Sequence, residues 1–511
     1  MGLKGILVAL AGLVTLTWTG AAAAEVGAFE RGQDVGSVGH AGSVRHDSGR
    51  YRVTGGGANI WGEADAFHFV WTRRSGDLHV AADVAWDAAR PNSDPHRKAG
   101  LMIRQNLSAG SPYADVMVHG DGSIALQYRE AQDGPTRQII AATQATSVRV
   151  RLEREGDYVY FSIAGPDGQL VHAGGNYRIA LGPEYHVGLA VSAHNDSLTE
   201  TATFANVTME VPVLADVPDT GYPARVESTL EVMEVGGAQS RRVVHHFDGK
   251  IEAPNWSRDN QLIYNSGGRI YRIPAAGGEP VVINTGPNIR NNNDHGISPD
   301  GTQLVISDQS EADNLSRIHV LPITGSDAPR LVVGRSDARS YWHGWSPDGR
   351  ILAYVHVSAD NQSYDIYTRD LAGGPERPLI AGEGVDDGPE YSPDGRYIYF
   401  NSTRSGAMQI WRASAADGSS PEPVTNDRNY RDWFPHFSPD GRWIAFVSFG
   451  LDVELGDHPP NRDVMLRIMP VDGSAPPRIL TRLFGGQGTI NVPSWSPDGR
   501  QIAFVSYRLV R

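Results

Sequence analysis

A chain of 511 residues exceeds what one ordinary hydrophobic core organises, so two or more domains are expected. Its 58 glycines and 32 prolines suit a turn-rich folded protein, and a formal charge of −14 argues against nucleic acid or an anionic membrane as partner. The absence of cysteine excludes disulfides, thiolate metal sites, thiol catalysis and an acylated lipoprotein cysteine.

Residues 1–24 read as a signal peptide, with Lys4 in the basic segment, an apolar run from Ile6 to Trp18, and Ala21 to Ala24 offering cleavage before Glu25. The expected location is the periplasm or the medium, with no membrane insertion after cleavage. Residues 26–212 alternate apolar and polar positions in short runs broken by Gly, Asp and Asn, as in Leu78–Trp86, Val148–Leu152, Tyr158–Ile163 and Val187–Ser192. This is a strand-and-turn pattern. Residues 213–223, with two prolines and a glycine, read as a linker.

Residues 224–511 contain an internal repeat. Ser-Pro-Asp-Gly recurs at Ser298, Ser346, Ser392, Ser438 and Ser496, with a degenerate copy at Ser257-Arg258-Asp259-Asn260. Copies lie about 41 to 58 residues apart, the length of one four-stranded propeller blade. The motif makes a tight turn: Pro sets φ, Asp bonds back to the backbone, and Gly or Asn accepts the left-handed position. An apolar strand follows each turn, as in Ile351–His356, Tyr397–Asn401, Trp443–Ser448 and Gln501–Ser506. Only one strand follows the last copy, so Thr229–Phe247 is predicted to supply the outer pair of a sixth blade and close the ring.

The stretches NNNDHGISPDG, YWHGWSPDGR, DDGPEYSPDGR and WFPHFSPDGR resemble the PD40 repeats of TolB-like propellers, over essentially all of residues 224–511. Residues 26–212 resemble concanavalin-like domains of the DUF1349 type, through Gly57–Gly62, Asp65–Trp71, Lys98–Arg104 and Val187–Asn195. The implied fold is all-β, a concanavalin-like sandwich followed by a six-bladed TolB-like propeller. Such sandwiches commonly accompany carbohydrate-active proteins, which implies an oligosaccharide or polysaccharide partner by association.

A propeller gathers the residues just before each turn around its axis. The third residue before each turn serine is Pro254, His295, His343, Pro389, Pro435 and Pro493, so two blades replace proline with histidine. With Glu390 and His436 one step further along, His295, His343, His436 and Glu390 form a candidate divalent metal set for Mn, Ca or Zn. The fifth residue back is Glu252, Asn293, Tyr341, Asp387, Trp433 and Asn491, a second polar layer with Asp294, Asp386 and Asp432 nearby. His436, Tyr341 and Asp387 are the candidate catalytic groups, and Asn293, Trp342, Asp386, Trp433 and Asn491 the candidate substrate contacts. Packing between blades is the alternative role for each histidine and aromatic.

The insertion Gly450–Asp463 reads as a surface loop or as a lid presenting His458 or Arg462. Gly485-Gly486-Gln487-Gly488 could bring backbone close to a ligand, but no phosphate-loop Lys-Ser/Thr follows. Two functions remain open. One is a protein that binds and cleaves uronate-containing oligosaccharides, either as a lyase, for which the oligogalacturonate lyases, with a histidine-rich manganese site on a propeller, are a precedent that this sequence resembles only in histidine placement, or as a glycoside hydrolase with Asp387 and Glu390 as its carboxylate pair. The other is a non-catalytic propeller binding a glycan or a partner protein.

Overall fold

A computed structural model of the protein describes residues 25–510 apart from 143–146, 175, 214–224, 238, 239, 362 and 383. The expected signal peptide, and all of the expected linker but Val213, lie outside the described residues.

Period-two alternation over residues 26–212 builds two facing antiparallel sheets. One runs in the order Arg31–Val35, Phe67–Ser75, Glu184–Ser192, Lys98–Arg104, Tyr113–His119, Ile124–Arg129, Thr136–Ala142. The other is centred on Ser147–Glu155, Leu78–Trp86, Glu200–Glu210 and Arg50–Gly55. Val53, Val80, Val84, Leu101, Ile103, Val116, Leu126, Leu152, Phe161 and Phe204 fill the space between them. The arrangement is sandwich-like.

The repeats build five four-stranded sheets, whose inner strands are Glu252–Trp256, Asn291–Ile297, Ala338–Trp345, Asp386–Tyr391 and Arg431–Phe437. Each is followed by the predicted turn. In the second copy Ser298 Oγ donates to Asp300 Oδ1 at 2.5 Å and Gly301 N–H donates to Ser298 O at 2.8 Å. The same Ser–Asp bond, at 2.6 Å, recurs at Ser346, Ser392, Ser438 and Ser496.

Where a sixth four-stranded blade was expected, the ring closes differently. The predicted pair is present, as Val226–Glu234 and Arg241–Asp248, and Val226–Glu234 pairs with Gln501–Leu509. The innermost segment does not form a strand, since Trp495 makes only an isolated bridge to Ile502. Its polar groups bond across the ring seam instead. Ser494 Oγ donates to Pro254 O at 2.5 Å, the Asn255 side chain donates to Pro493 O, and Trp495 Nε1 donates to His436 O at 3.0 Å. On the outer side, Arg241 and Arg242 pair in parallel with Ile139 and Ile140, so the closing strands extend the first sheet of the sandwich to ten strands. The two parts of the protein share one sheet.

Inner-strand bulges decide which side chains face the axis. In the three inner strands where proline stands third before the turn, the preceding residue is left-handed: Ala253 at φ 55°, Gly388 at 60° and Phe434 at 55°. There one extra residue is inserted against the neighbouring strand. Proline is tolerated because its missing N–H falls inside the bulge, where no ladder bond is lost. Where histidine replaces proline the bulge changes. Asn292, Asn293 and Asp294 together oppose a single residue in the second blade, and His343 is itself the unpaired residue in the third.

Candidate active site at the propeller axis

The bulges meet around a cavity of about 320 Å³. Its wall comprises Glu252 from blade one; Asn292, Asn293, Asp294 and Gln309 from blade two; Tyr341, His343, Val355, Val357 and Tyr364 from blade three; and Asp387 from blade four. Phe434 and His458 of blade five and Gln487 of the glycine loop complete it. Among the described residues, no lysine or arginine lines it. Four members of the polar layer five residues before the turns (Glu252, Asn293, Tyr341, Asp387) face the cavity, and Trp433 and Asn491 do not line it.

At its base His343 Nε2 lies 3.3 Å from Asp387 Oδ1 and 3.9 Å from Asp294 Oδ1, all three residues being buried. Burial disfavours the imidazolium, but the two carboxylates outweigh it and raise the His343 pKa above its ordinary value. Burial would likewise raise Asp387, yet the hydrogen bond and charge of His343 hold it below the usual carboxylate range. Asp294 gains less from His343 and lies beside Asp387, so burial pushes it up to about 6. Two carboxylates flanking one imidazole are thus driven apart in acidity, the pattern that acid–base sites use. Asn292 Nδ2 donates to Asp294 Oδ2 at 2.7 Å, and Lys250 Nζ pairs with Glu252 Oε1 at 2.6 Å.

The insertion of blade five reaches this wall. His458 lies 4.3 Å from the Trp433 ring and 5.2 Å from that of Phe434, and burial lowers its pKa. Phe434 also stacks on His343 with ring centroids 5.7 Å apart. Phe434 keeps a left-handed backbone that costs about 1–3 kcal/mol in a non-glycine residue.

The remaining predicted residues stand elsewhere. His436 hydrogen-bonds Glu390 Oε2 through Nδ1 at 2.6 Å and Ile490 O through Nε2 at 3.0 Å, while Glu390 Oε1 accepts the Phe437 N–H at 2.9 Å. His295 Nε2 bonds Ile263 O at 3.3 Å, and burial lowers its pKa to about 4. In-register pairing with Ile306 places His295 within the ladder, whereas His343 occupies the bulge. The four-residue metal set therefore does not converge; only His343 reaches the cavity. Trp342 and Trp433 are core residues, Trp342 filling the space over Gly296 where even a Cβ would clash. Asp386 is held by Arg404 through two 2.9 Å bonds, and Asn491 Oδ1 accepts the Gly488 N–H at 2.7 Å. His436→Ala should lower stability by about 2 kcal/mol, by stranding Glu390, and leave ligand binding at the axis intact. A denaturation curve beside a binding titration checks this, and lost binding in a folded variant would return His436 to the site.

Among the described residues of the axis, no three potential metal donors bring their ligand atoms within 4.8 Å of one another. Among the described residues, His79, Glu153 and Glu155 form the one group of three potential donors whose ligand atoms lie within 4.8 Å of one another. That triad is in the sandwich, and its carboxylates already hold Arg508 at 2.6 and 2.7 Å, with Arg151 3.0 Å from Glu153.

An all-β ring of repeated blades around a buried polar cavity defines a propeller with an axial site. The TolB beta propeller (PD40) family matches residues 330–452. An uncharacterized protein of Agrobacterium fabrum is 47% identical over 290 residues, 56% of this chain and 95% of that protein. A solved structure assigned to TolB, from Agrobacterium tumefaciens, is 47% identical with a TM-score of 0.52, covering 56% of this chain and 99% of that one. This protein belongs to the TolB-like β-propeller family. An oligogalacturonate lyase in complex with manganese is 15% identical with a TM-score of 0.35, covering 48% of this chain and 68% of that one, and carries no argument about activity.

Proposed function

We propose that this protein is an exported saccharide-binding protein that takes one end of a glycan into the axial cavity. The observation that carries this reading is the composition of the wall. Three carboxylates, the carboxamides Asn292, Asn293, Gln309 and Gln487, and the rings of Tyr341, Tyr364 and Phe434 are the group types that bond vicinal hydroxyls and pack on a sugar ring. The volume stands at the lower end of ligand cavities and suits one or two sugar units.

A uronate fits this wall poorly, because its carboxylate would meet Glu252, Asp294 and Asp387 with only His343 as a cation. A neutral or cationic sugar is the better match. The sandwich, sharing a sheet with the ring's closing strands, is read as a second glycan-attachment surface, and the whole as a six-bladed ring if the composite sheet counts as the last blade. Export rests on the signal-like residues 1–24; a mature protein beginning at Glu25 would support it.

Titration of purified protein with a panel of neutral, amino and uronate oligosaccharides tests the reading. Binding by the parent, lost in folded Asn293→Ala and Asp387→Ala variants, is expected. Failure of the whole panel would redirect the search to protein partners. Chromatography of the bound sugar after incubation separates a binder, which returns it intact, from an enzyme acting through Asp294, His343 and Asp387.

A further inference from the structure

The charge and hydrogen-bond inventory of the cavity narrows the ligand further. His343 is shared by two carboxylates, and among the described residues no lysine or arginine lines the wall to neutralise the second. The remaining acid, Glu252, is already tied to Lys250. A buried carboxylate without a full cationic partner is costly, and a ligand carrying positive charge removes that cost on entry.

A second feature, independent of charge, concerns Asn293. This residue is only 2% exposed and lines the cavity, yet its Nδ2 donor has no hydrogen-bond partner. An orphaned buried donor asks for an acceptor on whatever fills the space. A ligand suited to both features presents a cation and an acceptor oxygen. Phe434 adds an apolar wall, kept in place despite its left-handed backbone.

We infer that the sugar admitted to the axis carries a free amino group, its ammonium set against Asp294, the carboxylate farther from His343 (3.9 Å against 3.3 Å for Asp387), and a neighbouring hydroxyl or ring oxygen accepting from Asn293. This rests on the saccharide reading above and specifies its chemical class as amino sugars of the glucosamine type. An N-acetylated sugar lacks the cation and adds an acyl group, and a uronate brings the wrong charge, so both are discriminated against.

Calorimetric titration of the full chain, at about pH 6.5 where the amine is protonated, compares three glucose-based tetrasaccharides: unsubstituted, N-acetylated and fully deacetylated. The deacetylated form should bind at least about tenfold more tightly than either other form. That preference should collapse in Asp387→Asn and in Asp294→Asn, and should shrink with added salt, as a charge-based preference does. The salt series reads the same contact without a mutation, in case one variant fails to fold. Equal affinity for all three sugars would overturn the amine inference and leave the saccharide reading standing. Binding of none of them would remove both. If ethanolamine or a divalent cation bound as tightly as the amino sugar, the cavity would be a plain cation site, and the saccharide element of the inference would fall.

Discussion

Arg508→Ala should cost this protein about 3–5 kcal/mol of stability, the loss expected when one partner of a buried charge cluster is removed. Arg508 lies on the last strand of the ring, yet its guanidinium donates to Glu153 Oε2 at 2.6 Å and Glu155 Oε1 at 2.7 Å in the sandwich, over the ring of Tyr160. Glu153 is fully buried and also accepts from Ser162 Oγ at 2.7 Å. Deleting the guanidinium strands these carboxylates at the junction of sandwich and ring, where Arg151 and His79 satisfy them only in part.

The effect depends on pH. Burial acts to raise the Glu153 pKa, but Arg508 and Arg151 outweigh it and hold the carboxyl at about 2. A depressed acid stabilises the fold fully above its ordinary value of 4.5, and that contribution is lost as pH falls through about 2. The variant's deficit should therefore be widest at neutral pH and shrink in acid, where a protonated Glu153 no longer needs the arginine. Urea denaturation at a series of pH values measures it. A deficit below about 1 kcal/mol at neutral pH would mean that the cluster is solvated like a surface pair.

How far the sequence exposed this architecture depends on the range of the interactions involved. The Ser-Pro-Asp-Gly turn is closed by its own serine and aspartate, so five blades and the closing pair were legible from local residues. Of the layer five residues before each turn, Glu252, Asn293, Tyr341 and Asp387 face the cavity because the strand keeps its phase up to that point, while Trp433 joins the core and Asn491 accepts from Gly488. His295 and His343 share the next position of interest, but the bulge displaces only His343 from the ladder. Their opposite fates follow from pairing with the neighbouring strand, which no local pattern records. His458 enters the cavity from an insertion whose path depends on packing against Trp433 and Phe434. The shared ten-stranded sheet, joined through Ile139, Ile140, Arg241 and Arg242, brings together segments about a hundred residues apart and left no periodic trace.

Asp294→Asn should have opposite effects on stability and on binding. The Asp294 carboxyl is held at about 6, chiefly by burial and despite His343. For an acid whose pKa is raised on folding, the stabilising contribution is present below the ordinary value of 3.8 and is lost as pH rises through about 6. Above that pH the protein holds a carboxylate in a place that disfavours it, at a cost of up to about 3 kcal/mol. Asparagine keeps the shape without the charge. The variant should match the parent near about pH 4 and exceed it by about 2 kcal/mol near about pH 8, while Asp387 retains its hold on His343, 3.3 Å from the imidazole Nε2. Amino-sugar affinity should fall at least about tenfold in the same variant. A gain in stability coupled to a loss of binding is the signature of a residue kept for its chemistry rather than for the fold. If the variant were instead destabilised at alkaline pH, Asp294 would be a satisfied partner of His343, and the axial pair would serve to lock blades two, three and four together.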